Sequence, residues 1–117
     1  MNDKNILEVL RDFGLTDTEA EVYIFLAKSC VQKARDISSS LKMNKAQVYR
    51  ILKDLEKRAI IEQTLQSPSR FTAIPFEKLL DTIIRGKRNA VNLLEDKRDD
   101  LLAYWKSVTV DKTSSSS

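Results

Sequence analysis

The strongest constraint in this chain is a pair of helical apolar patterns separated by only three residues. Ala34, Ile37 and Leu41 point one way along a short helix, expected over about Lys33 to Leu41, and Lys42-Met43-Asn44 follows. Val48, Ile51, Leu52 and Leu55 then fall at i, i+3, i+4 and i+7, with Ala59 a further step along the same stripe. Asn44 is a good N-cap, and Gln47 is placed to close a capping box back onto it, which predicts a second helix from about Lys45 to Arg58. Two helices joined by so short a turn, the second with a polar outer face, form a helix-turn-helix.

The flanking segments complete one small domain. Ile6, Leu7, Leu10 and Phe13 predict a helix over about Asn5 to Phe13 that Gly14 ends. Thr16 and Glu19 form a capping box that starts another helix, running through about Ser29 with Ala20, Tyr23, Ile24 and Ala27 as its buried stripe. After Ala59 the period becomes extended. Ile60 to Leu65 and Arg70 to Ile74 read as two strands, with Gln66-Ser67-Pro68-Ser69 as the turn of a hairpin. A hairpin directly after the second helix of a helix-turn-helix is a wing. The fold class is therefore mainly α with a small β-hairpin: a winged helix-turn-helix over residues 1–75, a long helix over 76–108, and a polar tail at 109–117 expected to be disordered.

Pro75 suits the first turn of that long helix, which would span roughly 50 Å at its usual rise. Leu80, Ile83, Ala90, Leu94, Leu101 and Tyr104 lie near a seven-residue repeat, with Ile84, Val91 and Trp105 alongside. Lys87 and Lys97 interrupt the seam, and Gly86 is a point where it bends. Such a stripe needs a partner. The reading adopted is an intersubunit helix pair in a homodimer; the alternatives are packing back on the first helix of the same chain, or pairing with a different protein.

Composition excludes much chemistry. The chain has no histidine and one cysteine, so the usual zinc ligands and the commonest general base are missing, and neither a metal nor a cofactor is expected. Glu95, Asp96, Asp99 and Asp100 alternate with Lys97 and Arg98, the pattern of a solvated helix face. With only Gly14 and Gly86 there is no phosphate-cradling loop, and an enzyme is not expected. The run Val22 to Ala27 is too short to cross a bilayer and Met1 begins no basic-then-apolar leader, so the expected location is the cytoplasm, without a membrane partner. Cys30 is read as a small packing residue with no assigned role.

Charge is unevenly placed. Residues 1–27 carry two basic and six acidic side chains, residues 28–58 nine and three, and residues 59–117 nine and eight. The basic excess therefore coincides with the helix-turn-helix, as a polyanion partner requires.

The stretch from Leu10 to Ile74 resembles the winged-helix domain of TrmB-like archaeal transcriptional regulators. The landmarks are Gly14-Leu15-Thr16-Asp17-Thr18-Glu19-Ala20-Glu21-Val22-Tyr23, Ala34-Arg35-Asp36-Ile37, Val48-Tyr49-Arg50-Ile51-Leu52-Lys53-Asp54-Leu55-Glu56 and Phe71-Thr72-Ala73-Ile74-Pro75. The resemblance implies sequence-specific binding of double-stranded DNA as a dimer. Full-length members carry a C-terminal sugar-binding domain that would begin where this sequence stops, so the resemblance gives no basis for a sugar effector and the small-molecule signal stays unassigned. Lys42 stands where many relatives have a turn glycine, which predicts a slightly different turn.

With the Val48–Leu55 stripe turned inward, Ala46, Arg50, Lys53 and Lys57 lie opposite it, and Gln47 and Tyr49 flank them. The N-terminal part of a recognition helix enters the major groove. That makes Arg50 and Gln47 base readers, with Lys45, Lys53 and the Tyr49 hydroxyl on phosphate and Ala46 at the contact surface. Packing is an equally good reading for Tyr49. Lys33 and Arg35, starting the preceding helix, are expected on the backbone. The wing, about 61–74, would lie on the flanking backbone or minor groove through Ser67, Ser69 and Arg70. A competing function is an interaction module of a transcription or chromatin assembly.

Overall fold

A computed structural model of the chain describes residues 2–65 and 68–110. In chain order the elements are α1 (Asp3–Asp12), α2 (Asp17–Ser29), β1 (Gln32–Lys33), α3 (Ala34–Leu41), α4 (Lys45–Lys57), β2 (Ile61–Gln63), β3 (Arg70–Ala73) and α5 (Phe76–Val108). They fall into two compact units, Met1–Asp81 and Thr82–Ser117.

Local chemistry starts and stops the first helices as anticipated, with one addition. Asn2 caps α1, its side chain accepting the Lys4 N–H at 3.0 Å while Asn5 returns a bond to the Asn2 N–H, so the helix begins earlier than the apolar spacing implied. Gly14 ends the segment with φ at +105, the left-handed region where a side chain is strained. Thr16 and Glu19 form the expected reciprocal box on α2, at 3.2 and 2.9 Å.

In α2 the buried face differs from the predicted stripe. Ala20, Val22, Tyr23 and Leu26 are buried, Ile24 is half-buried and Ala27 is exposed. The helix lies against α1, α3, α4 and β3 together, so it buries a broad arc and not a single i, i+3, i+4 line. The stripe of α4 needs no such correction: Val48, Ile51, Leu52 and Leu55 are all in the core, each buried aliphatic side chain contributing about 1.5–3 kcal/mol. Ala59 leaves the stripe, because α4 stops at Lys57 and Ala59 turns the chain with φ at 59.

The turn between α3 and α4 keeps the left-handed geometry that a glycine would favour, although Lys42 occupies it (φ 54, ψ 46). Ser38 holds it. The Ser38 carbonyl accepts the Lys42 N–H and the Met43 N–H, the latter at 3.0 Å, and the Ser38 hydroxyl donates to the Met43 carbonyl at 2.6 Å. Asn44 caps α4 one-sidedly, accepting from the Ala46 N–H at 2.7 Å in place of the box expected with Gln47.

The sheet has three strands in the order β1-β3-β2, all antiparallel. The wing pairs Ile61 with Ala73 and Gln63 with Phe71. Strand β1, which the apolar spacing merged into the start of α3, pairs Gln32 with Phe71 and Lys33 with Arg70. Phe71 is buried beneath the sheet, and the Tyr23 hydroxyl donates to the Ile74 carbonyl at 2.7 Å, tying the end of the wing to α2. Among the described residues no polar side chain is buried without a hydrogen-bond partner. Cys30, expected as packing, is exposed at the C-cap of α2 with φ at 67.

Candidate nucleic-acid interface

The outward face of α4 is built by its inward one. Burial of Val48, Ile51, Leu52 and Leu55 fixes the helix rotation, leaving Lys45, Ala46, Tyr49, Arg50 and Lys53 exposed and Gln47 half-buried. Tyr49 is 54% exposed and so lies outside the buried stripe.

Several of these side chains meet others from separate elements. A concavity of about 660 Å³ is lined by Lys33 and Arg35 from β1 and α3, by Lys45, Tyr49 and Lys53 from α4, and by Ser69 from the hairpin. Leu52 and Phe71 form its floor, and Glu56 is the sole acid among the described residues that line it. Ala46, Gln47, Arg50 and Arg70 are not part of this lining. Gln63, Glu56 and Pro68 line it too and carry no signal in the sequence, since only strand register and hairpin closure bring them there.

Strand β1 supplies the feature least visible in the sequence. It sets Lys33 directly opposite Arg70, a pairing of like charges that costs stability in a sheet. No local periodicity marks a two-residue strand, so the signal is tertiary. Lys33 also precedes α3 as an N-cap that makes no side-chain hydrogen bond, leaving first-turn N–H groups of α3 uncapped beside Lys33 and Arg35.

These cations are unpaired. Among the described residues Lys33, Arg35, Lys45, Arg50, Lys53 and Arg70 form no ion pair. Asp54, the obvious neutraliser of Arg50 and Lys53, is instead engaged by Arg58 at 3.4 Å, and Arg58 also lies 3.7 Å from Glu19. Ser69 accepts from the Gln63 amide at 2.6 Å, so its hydroxyl proton remains available to an acceptor. Ser67 lies outside the described residues. Taken together, the surface offers fixed positive charge, one phenol, one hydroxyl and uncapped backbone donors, a set suited to a polyanion. Among the described residues no group of carboxylate, histidine or cysteine side chains could hold a metal, and no helix is long and apolar enough to cross a membrane.

The residues assigned to an intersubunit seam divide into two sets. Ile83 is buried within the chain and Leu80 is half-buried, lining an apolar depression with Ile6, Val9 and Phe76. Ile84, Ala90, Val91, Leu94, Leu101, Tyr104 and Trp105 are exposed, as are Leu93, Leu102 and Val108, which lie off the seam expected from the sequence.

The family model described as "Sugar-specific transcriptional regulator TrmB" matches residues 10–77. No curated protein matches the sequence. Among solved structures, a transcriptional regulator from Thermotoga maritima superposes with a TM-score of 0.56 at 21% identity, covering 86% of this chain and 78% of that one. A possible transcriptional regulator from Methanosarcina mazei Go1 gives 0.57 at 18% identity, covering 79% and 80%. A MarR family transcriptional regulator from Streptomyces coelicolor gives 0.53 at 15% identity, covering 86% and 83%. At these identities the likeness is one of fold, and the shared fold is the winged helix.

Proposed function

This chain belongs to the TrmB family of winged-helix transcriptional regulators, and on that premise we propose that it binds double-stranded DNA sequence-specifically as a homodimer. The observation that carries this reading is the unpaired basic set on α4, α3 and the hairpin, together with the absence of any acid engaging Arg50 or Lys53 among the described residues. A solvated helix face would be expected to neutralise its own cations through i, i+4 pairs; here the nearest such acid is spent on Arg58.

The contacts are assigned by side-chain chemistry and position on the helix. Arg50 and Gln47, on α4 outside the concavity, read base edges in the major groove, arginine matching guanine O6/N7 and glutamine adenine N6/N7. Lys45, Lys53 and the Tyr49 hydroxyl hold phosphate, with Ala46 against the groove wall. Lys33 and Arg35 meet the flanking backbone beside the uncapped start of α3. Arg70 and Ser69 follow the wing to the backbone or minor groove. The exposed apolar face of α5 pairs two copies, and half-sites then lie about one helical turn apart or a multiple of it.

The test is a mobility-shift titration on the region upstream of the protein's own gene at two salt concentrations. Lys53→Ala is expected to weaken specific and nonspecific complexes alike and to reduce the salt slope by about one unit. Arg50→Ala is expected to cost about 1–3 kcal/mol on the specific site and little on random DNA. Unchanged binding in both variants would remove the site assignment.

A further inference from the structure

The second unit carries an exposed seam with two cations in it, and they distinguish between the ways two copies can pair. Along α5, Ile84, Val91, Leu94, Leu101, Trp105 and Val108 are between 45% and 63% exposed. They occupy alternating a and d positions of one heptad pattern, whose remaining seam positions are Lys87 and Arg98. This phase excludes Ile83, which is already buried, and it differs from a seam centred on Leu80, Ile83 and Ala90.

We infer that α5 pairs with a second copy in antiparallel orientation, crossing near residue 96. The proposal rests on the homodimer reading above and adds its orientation and register. In a parallel, in-register pair every seam residue meets its own copy, so Lys87 faces Lys87 and Arg98 faces Arg98 inside the apolar stripe. Two like-charge layers in one short seam oppose that arrangement. In the antiparallel pair the a residues of one helix meet the d residues of the other, and the residue numbers in each layer add to 192.

Ile84 then meets Val108, Val91 meets Leu101, Leu94 meets Arg98, and Lys87 meets Trp105. Each cation is paired with an apolar or aromatic side chain. The stem of Lys87 packs along the indole, and the stem of Arg98 covers Leu94 while its guanidinium reaches Glu95 of the other copy. Arg98 gives up little to do so. Its contact with the adjacent Asp99 is 3.5 Å between strongly exposed groups. All six apolar residues are covered in this register, and no layer sets one cation against another.

The orientation is tested on the full chain by oxidative cross-linking, in a Cys30→Ser background that removes the exposed native thiol. Val91→Cys and Leu101→Cys, each alone, are expected to give no self-linked dimer, since in the antiparallel pair each lies about 15 Å along the axis from its own copy. Mixed together, they are expected to give the disulfide-linked heterodimer. Efficient self-linking of Val91→Cys, or of Val108→Cys at the far end, would overturn the antiparallel register.

Light scattering on the uncross-linked chain separates the two readings. A monomer overturns the homodimer itself, whereas a dimer that self-links at Val91 overturns only the orientation. As a second readout, Arg98→Glu is expected to weaken dimerisation at least tenfold, and Glu95→Arg in the same chain to restore it. Absence of that rescue counts against the cross-helix pair.

Discussion

Lys42 and Ala59 show how single residues carry backbone strain here. Both have left-handed φ values, 54 and 59, where a Cβ is disfavoured and glycine is not. Ser38 holds Lys42 in place through the turn, and the Ala59 and Ile60 N–H groups close α4 by donating to Glu56 and Leu55 carbonyls at 3.0 and 2.9 Å. Lys42→Gly and Ala59→Gly are each expected to raise unfolding stability by about 0.5–1 kcal/mol in urea titration. Gly14→Ala should do the reverse, because its φ is +105 and its new Cβ would stand 3.4 Å from Arg58. Tyr23 is a different case. Burial pushes its phenol above the ordinary value of 10.0, so the neutral hydroxyl that donates to Ile74 is the form the fold selects. That stabilisation is complete below pH 10 and is lost as pH rises through the raised folded value. Tyr23→Phe should cost about 1 kcal/mol at neutral pH, yet lack this alkaline loss. Comparing the two proteins by chemical denaturation at pH 7 and above pH 10 checks both halves.

Helices with strong local signals are legible in the amino-acid sequence. The Thr16–Glu19 box starts α2 as expected, and Thr16→Ala should lower stability by about 1 kcal/mol, read as a shifted urea midpoint with unchanged slope. The α4 stripe is equally clear, since a helix with one packed side has its period written in its apolar residues. Where more than one neighbour packs on an element, that period blurs. In α2, Val22 and Leu26 are buried while Ala27 is not, because four other elements surround the helix. Strand β1 is invisible for a related reason: two residues carry no periodicity, and Gln32 and Lys33 become a strand only by pairing with Phe71 and Arg70 far along the chain. At the site this matters, because β1 is what places Lys33 opposite Arg70. Lys33→Glu should turn that like-charge pair into an opposite-charge pair, raising thermal stability slightly while weakening DNA binding, measured by melting and by mobility shift.

For the whole molecule, the homodimer reading predicts that a chain ending after Arg88 stays folded and becomes a monomer by light scattering, since Leu79 and Ile83 are retained and most of the exposed α5 seam is removed. A cut near Phe76 would be a poor test, because it deletes buried Leu79 and Ile83 and confuses unfolding with loss of the interface. The helices, the helix-turn-helix, the wing and the long final helix can all be read from spacing, caps and turn residues, since each depends on interactions within a few residues of itself. So can the inward and outward faces of α4. What required the folded chain was the gathering of Lys33, Arg35, Lys45, Lys53 and Ser69 around one concavity, the diversion of Asp54 to Arg58, and the division of α5 between buried Ile83 and exposed Val91 to Val108. These are contacts between residues distant in the chain, and local periodicity holds no record of which distant neighbour will cover a side chain, neutralise it or leave it free.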